Sequence, residues 1–216
     1  MTVRIAPSLA SAPLDRLGAA VNELEAAGAD ALHFDIEDGS FVPVMMLGTK
    51  IISDLRPLTK LPFDVHLMMV NPEWIIPPLA ETGIDRLSIH YEACAYPRRV
   101  LRQIASFGIS AGLAFNPATF LPDLAYLHPY LSFLLILTSE PEIPDCPFLP
   151  EVLEKVREGK RRKDLDRVEW IVDGGLNAGN IAQVAGAGAD AVVVGRAVFK
   201  DGKMTENLQA LRRAAG

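Results

Sequence analysis

The chain is 216 residues long, half of them hydrophobic and 22% charged, with a net charge of −6. At this length an ordinary globular domain buries roughly 70% of its unfolded surface, so folding requires no disulfide or metal staple, and two cysteines, Cys94 and Cys146, make no disulfide framework. Acids outnumber Lys and Arg, apolar runs such as 187–194 stop well short of the ~18 residues of a membrane span, and residues 1–11 carry no signal-peptide pattern; these features argue against nucleic-acid and membrane partners and predict a reducing cytoplasm.

Short apolar runs rich in Val, Ile, Leu and Phe recur at 3–9, 31–36, 63–69, 86–91, 110–115, 132–138, 168–173 and 191–195. The stretches between them have helical spacing. In 14–27, Leu14, Leu17, Val21, Leu24 and Ala27 form one stripe, with Pro13 suited to the first turn and Gly28 to the stop. The same spacing predicts helices near 49–56, 73–82, 97–107, 121–127, 151–163, 178–187 and 203–214. Strands without polar alternation are covered on both faces, as in a parallel sheet with helical crossovers. Eight such units, with Ala6-Pro7-Ser8 rather than a glycine fingerprint after the first strand, predict a closed (β/α)8 TIM barrel occupying residues 1–216 as one domain. Ala-Gly-Ala-Asp occurs at 27–30 and again at 187–190, each time stepping from a helix into a strand.

In such a barrel the chemistry lies at the C-terminal ends of the strands. Alternation puts His33, Asp35 and Glu37 of strand two on one face; strand three carries Asp64-Val65-His66-Leu67-Met68, and strand seven ends Val172-Asp173-Gly174-Gly175. A lone histidine on an apolar strand is ordinarily a hydrogen-bonded core residue. Together, however, His33, Asp35, His66 and Asp173 offer two imidazoles and two carboxylates from three strand ends, a donor set suited to a divalent ion such as zinc, iron, manganese or cobalt. His90 reads as a hydrogen-bonded pocket residue as readily as a ligand. Two carboxylates reaching one ion from different sides of the barrel, Asp35 and Asp173, suit proton removal beside a carbonyl and return on the other face. No lysine stands at a strand end to form a Schiff base, which argues against an aldolase.

Several segments carry a resemblance. Ile5-Ala6-Pro7-Ser8-Leu9, His33-Phe34-Asp35-Ile36-Glu37-Asp38-Gly39-Ser40-Phe41-Val42-Pro43, Asp64 to Met68, Asn116-Pro117-Ala118-Thr119 and Val172 to Gly175 occur in the order found in ribulose-phosphate 3-epimerases, and the chain resembles that family from end to end. The resemblance implies a ribulose-phosphate-binding barrel that interconverts D-ribulose 5-phosphate and D-xylulose 5-phosphate through a cis-enediolate. It implies His33, Asp35, His66 and Asp173 around the catalytic ion, zinc by preference, with Asp35 and Asp173 as the acid/base pair. It also implies Ser8, His66 and Met68 at the sugar, Gly174, Gly175 and Gly195 offering backbone amides to phosphate, and a dimer or hexamer.

Two departures stand at the ligand end. The family's strand-two signature has Met where this chain has Glu37, which could bond an added hydroxyl or amine. The glycine-rich loop after strand six is replaced by Glu140-Pro141-Glu142-Ile143-Pro144-Asp145-Cys146, which lacks all its glycines and adds acids. Arg196 follows Gly195 where the family has Ser; its guanidinium could pair with a phosphate or with a carboxylate. Either Arg196 compensates for the altered loop, or the pocket has moved toward another sugar.

Overall fold

A computed structural model describes residues 2–141 and 146–216. Eight parallel strands form one sheet in the order β1-β8-β7-β6-β5-β4-β3-β2, with β1 spanning Arg4–Pro7, β2 Leu32–Glu37, β3 Phe63–Met68, β4 Arg86–His90, β5 Ser110–Phe115, β6 Phe133–Leu137, β7 Glu169–Asp173 and β8 Ala191–Val194. A bridge between Ser8 and His33 brings the two ends together, giving a nearly closed (β/α)8 barrel. The helices are α1 Leu17–Ala26, α2 Thr49–Leu55, α3 Ile76–Ala80, α4 Pro97–Ser106, α5 Leu153–Lys160, α6 Ile181–Gly186, α7 Arg196–Phe199 and α8 Met204–Ala215.

Two sequence expectations need correction. The helix expected at 121–127 is only a 3-10 turn, Ala125–Leu127. Its seven residues are too few for an independently stable helix, and Pro122 and Pro129 bracket the turn. A short helix, α7, instead follows β8. The second correction concerns alternation. Strands β2 to β4 do alternate, but inversely: Leu32, Phe34, Ile36, Phe63, Val65, Leu67, Leu87 and Ile89 join the apolar layer against the helices, while the intervening His33, Asp35, Glu37, Asp64, His66, Ser88 and His90 are buried polar residues that face the barrel interior. On the far side, Ala114, Phe133, Leu135, Ile171, Ala191 and Val193 fill the interior with an apolar cluster. The barrel thus has one polar and one apolar inner wall, and Asp173, at the end of β7 two residues beyond Ile171, carries a carboxylate from the apolar side to the polar one.

The repeated glycine-aspartate step has a structural task. Gly28 (φ 85°) and Gly188 (φ 103°) end their helices in the left-handed region, as does Gly83 (φ 79°) ahead of Asp85. The aspartate two residues after each accepts a backbone N–H from a neighbouring strand: Asp30 from Ile5, Asp85 from Phe63 and Asp190 from Trp170, each at 2.8 Å. Each carboxylate thereby pins the N-terminal end of a strand and fixes the heights at which the opposite ends present their side chains. Both cysteines are free thiols, and among the described residues no helix is long and apolar enough to cross a membrane.

Candidate active site

Parallel pairing of β2 with β3 sets His33 opposite Asp64 and Asp35 opposite His66. That register packs four polar side chains into one square of the inner wall. Asp35 Oδ1 lies 3.1 Å from His33 Nε2 and 3.2 Å from His66 Nδ1, while its Oδ2 accepts from Ser8 Oγ at 2.7 Å. Asp173 reaches the same point from β7, three strands away around the ring. One donor atom from each of His33, Asp35, His66 and Asp173 lies within 4.8 Å of the others.

The electrostatics draw positive charge to this point. Burial disfavours a charged His33, yet Asp35 and Asp64 at its two nitrogens raise it well above the ordinary imidazole value. Burial would likewise raise Asp35, and the two imidazoles hold it far below the carboxylate range. His66 is pushed down to about 4, chiefly by burial, so it is neutral and has a lone pair to give. Two imidazole nitrogens and two carboxylate oxygens, three of the four residues buried, form a mixed donor set whose chemistry fits a divalent ion.

Above this floor opens a cavity of about 770 Å³, lined by Ser8, Asp35, Val44, Met46, Met68, Leu137, Asp173, Gly174, Gly175, Gly195 and Arg196 among others. His33 and His66 lie beneath its surface, fully buried. Glu37 lies outside the lining: it is 3% exposed, its Oε2 accepts from Met46 N–H at 3.1 Å, and its Oε1 is buried without a described partner. Burial, with the charge of Asp35, raises its carboxyl above the usual value. Each glycine of the cavity has a packing reason as well as an amide to offer. A Cβ on Gly174 would come within 2.5 Å of Ser139 Oγ, on Gly175 within 2.9 Å of the Phe148 nitrogen, and on Gly195 within 2.5 Å of Ser11 Oγ. The positions Glu142, Pro144 and Asp145 of the altered loop lie outside the described residues, whereas Glu140, Pro141 and Cys146 line the cavity.

Four residues escaped the sequence reading. Asp64 supports His33 from behind, its Oδ2 3.1 Å from His33 Nδ1; its two-residue spacing from His66 on one strand face was the available signal. Glu92, two residues after His90, bonds that ring at 3.0 Å. Ser139 and Lys200 line the cavity, and the i, i+4 spacing of Arg196 and Lys200 would have signalled two cations on one helical face.

Comparison with known proteins matches residues 4–199 to a model described as the Ribulose-phosphate 3 epimerase family. A ribulose-phosphate 3-epimerase of Synechocystis sp. is 41% identical over 97% of this chain and 93% of its own length, one of Bacillus subtilis 37% identical over 97% and 98%, and one of Escherichia coli 40% identical over 90% and 88%. Among solved structures, phosphoribosyl anthranilate isomerase from Thermus thermophilus superposes with a TM-score of 0.70 at 16% identity, covering 98% of each chain, which speaks to the fold alone.

Proposed function

The chain belongs to the ribulose-phosphate 3-epimerase family, and on that premise we propose that it inverts the carbon beside a ketose carbonyl, interconverting D-ribulose 5-phosphate and D-xylulose 5-phosphate. The observation that carries this reading is the convergence of Asp35 and Asp173, from separate strands, on one cluster with His33 and His66. Those four residues would hold a divalent ion, zinc by preference, with iron, manganese and cobalt compatible with the same donors. When bound, the ion supplies positive charge that stabilises the oxyanion developing as the proton leaves carbon.

The chain's own residues do the rest. One aspartate removes the proton from one face of the substrate and the other returns a proton on the opposite face, so the intermediate is a planar cis-enediolate and the outcome is inversion. Ser8, bonded to Asp35 Oδ2, orients that carboxylate at the sugar. Met68, Leu137 and Val193 give the cavity an apolar floor, which keeps the charges in a low-dielectric setting where they act strongly. The Gly174, Gly175 and Gly195 amides, with Arg196 and Lys200, receive the phosphate. Life in the cytoplasm as a dimer or hexamer accords with this reading, and the mass in solution tests the second.

The altered loop after β6, whose Glu140, Pro141 and Cys146 line the cavity, changes the ligand end, so a panel of substituted ketose phosphates belongs beside the pentose. The primary test is incubation of the metal-loaded protein with D-ribulose 5-phosphate in D2O. Deuterium at C3 together with D-xylulose 5-phosphate is expected; no exchange with any of the four metals, on any ketose phosphate of the panel, would sink the proposal.

A further inference from the structure

Behind His66 runs a line of polar groups, His90, Glu92 and Asn116, to which the reaction above assigns no task. His66 Nε2 lies 2.9 Å from His90 Nε2, His90 Nδ1 lies 3.0 Å from Glu92 Oε2, and Glu92 Oε1 accepts from the Asn116 N–H at 2.8 Å. Both imidazoles are 0% exposed. Their ring centroids are 4.8 Å apart, and the Phe41 ring covers His90 at 4.5 Å. Shut off in this way, the ring nitrogens must satisfy one another, and the number of protons available fixes how.

An ionised carboxylate can only accept a hydrogen bond, and a neutral imidazole carries one N–H and one lone pair. Burial would raise the Glu92 carboxyl, but bonds from His90, Thr119 and Asn116 hold it down to about 2. Glu92 therefore accepts a hydrogen bond from His90 Nδ1–H, which leaves His90 Nε2 an acceptor. The proton between the two rings then belongs to His66 Nε2. Two N–H groups serve three gaps, and the gap left without one is that between His66 Nδ1 and Asp35 Oδ1, 3.2 Å apart inside the four-donor cluster, where Asp35 competes as an acceptor and a cation would take the place of the proton.

We propose that Glu92 and His90 are positioning residues that select the Nε2–H tautomer of His66 and so keep its Nδ1 lone pair turned toward a divalent ion. The inference rests on the reading of His66 as a ligand. His33 has the simpler version of the same arrangement, with Asp64 Oδ2 3.1 Å from its Nδ1 and its Nε2 facing Asp35. Each imidazole of the cluster thus ends in a carboxylate on its far side, one directly and one through a second ring, as outer partners of metal-bound histidines do. The outer end is anchored as well, since Lys155 Nζ donates to the Asn116 and Pro117 carbonyls at 2.8 and 2.7 Å.

The discriminating variant is Glu92→Gln. The Asn116 N–H keeps the amide oxygen on its side, so the NH2 faces His90 Nδ1. Every bond in the line then reverses, and His66 carries its proton on Nδ1. In full-length protein stripped of metal by chelation, long-range 1H–15N correlation of the four histidines reads each tautomer directly, and chelator competition with zinc reads affinity. We expect His66 protonated at Nε2 in the wild type and at Nδ1 in Glu92→Gln, with zinc bound roughly 10–100-fold more weakly in the variant, and Glu92→Asp retaining the wild-type tautomer. A wild-type His66 protonated at Nδ1 overturns the proposal without recourse to any variant. Zinc affinity that depends on His66 but is indifferent to Glu92→Gln overturns the relay alone, whereas affinity unchanged in His66→Ala overturns the four-ligand reading itself.

Discussion

His33 Nδ1 and Asp64 Oδ2 stand 3.1 Å apart beneath the cavity floor, on directly opposed positions of β2 and β3. With Nδ1 donating to a carboxylate, Nε2 is the nitrogen left for an ion. Asp64→Asn keeps the shape and loses the charge, so zinc affinity is expected to fall about 10–100-fold with little change in melting temperature of the metal-loaded protein at saturating zinc. Equal affinities in chelator competition would reduce Asp64 to a packing residue.

Asp35→Asn and Asp173→Asn should each lower epimerisation by about 10²–10⁴-fold, the usual worth of a positioned acid or base. A readout that separates their roles is exchange of the C3 proton with solvent, starting from each of the two epimers in D2O. Removal from one epimer should survive in one variant and from the other epimer in the other, because inversion places the two carboxylates on opposite faces. Full exchange from both epimers in both variants would leave the acid/base assignment without support.

Asp38 ties two loops at the mouth: its Oδ1 accepts from Ser40 and Phe41 N–H at 2.8 and 2.7 Å, and its Oδ2 from Val70 N–H at 2.9 Å. Burial raises this carboxyl, but the three bonds outweigh it and hold it below its ordinary value of 3.8. A depressed carboxyl contributes stability above its unfolded value, and that stability is lost as pH falls through the lower folded value. Asp38→Asn, which would set an NH2 against the Val70 N–H, should therefore cost about 1–3 kcal/mol near pH 7, with the gap to wild type closing as pH falls below the ordinary value of 3.8. Denaturant titrations at pH 7, 5 and 3 measure it; a gap independent of pH would mean that the charge is not what holds the loops.

The eight strands were legible because short apolar runs recur between stretches of helical spacing, and the metal set because His33 and Asp35 share one face of β2 while His66 and Asp173 interrupt the apolar runs of β3 and β7. The helix expected at 121–127 failed because a seven-residue apolar pattern cannot tell a helix from a 3-10 turn once prolines flank it. Asp64 and Glu92 were hidden for another reason. Their partners, His33 and His90, are set by cross-strand register and by the direction of a loop, so the spacing of Asp64 from His66 shows a shared face without showing the partner. The inverted alternation of β2 to β4 was visible in the residues themselves, since only a lined interior accounts for so many buried polar groups on one face.

The anion end yields the last prediction. Arg196 opens the short helix α7 directly after Gly195, and Lys200 follows one turn later; both line the cavity together with Gly174 and Gly175. Charge-assisted hydrogen bonds are worth about 1.5–3 kcal/mol, or roughly 10–100-fold in binding. Arg196→Ala should accordingly raise KM for a ketose 5-phosphate by that factor and leave turnover of the corresponding unphosphorylated ketose unchanged, with Lys200→Ala acting in the same direction but less, since an ammonium cannot match the two-pronged geometry of a guanidinium. Added salt should narrow the difference for the phosphorylated substrate only. If both variants lose activity equally on phosphorylated and unphosphorylated ketoses, these cations support the fold of the β8 end, and the phosphate must be held elsewhere.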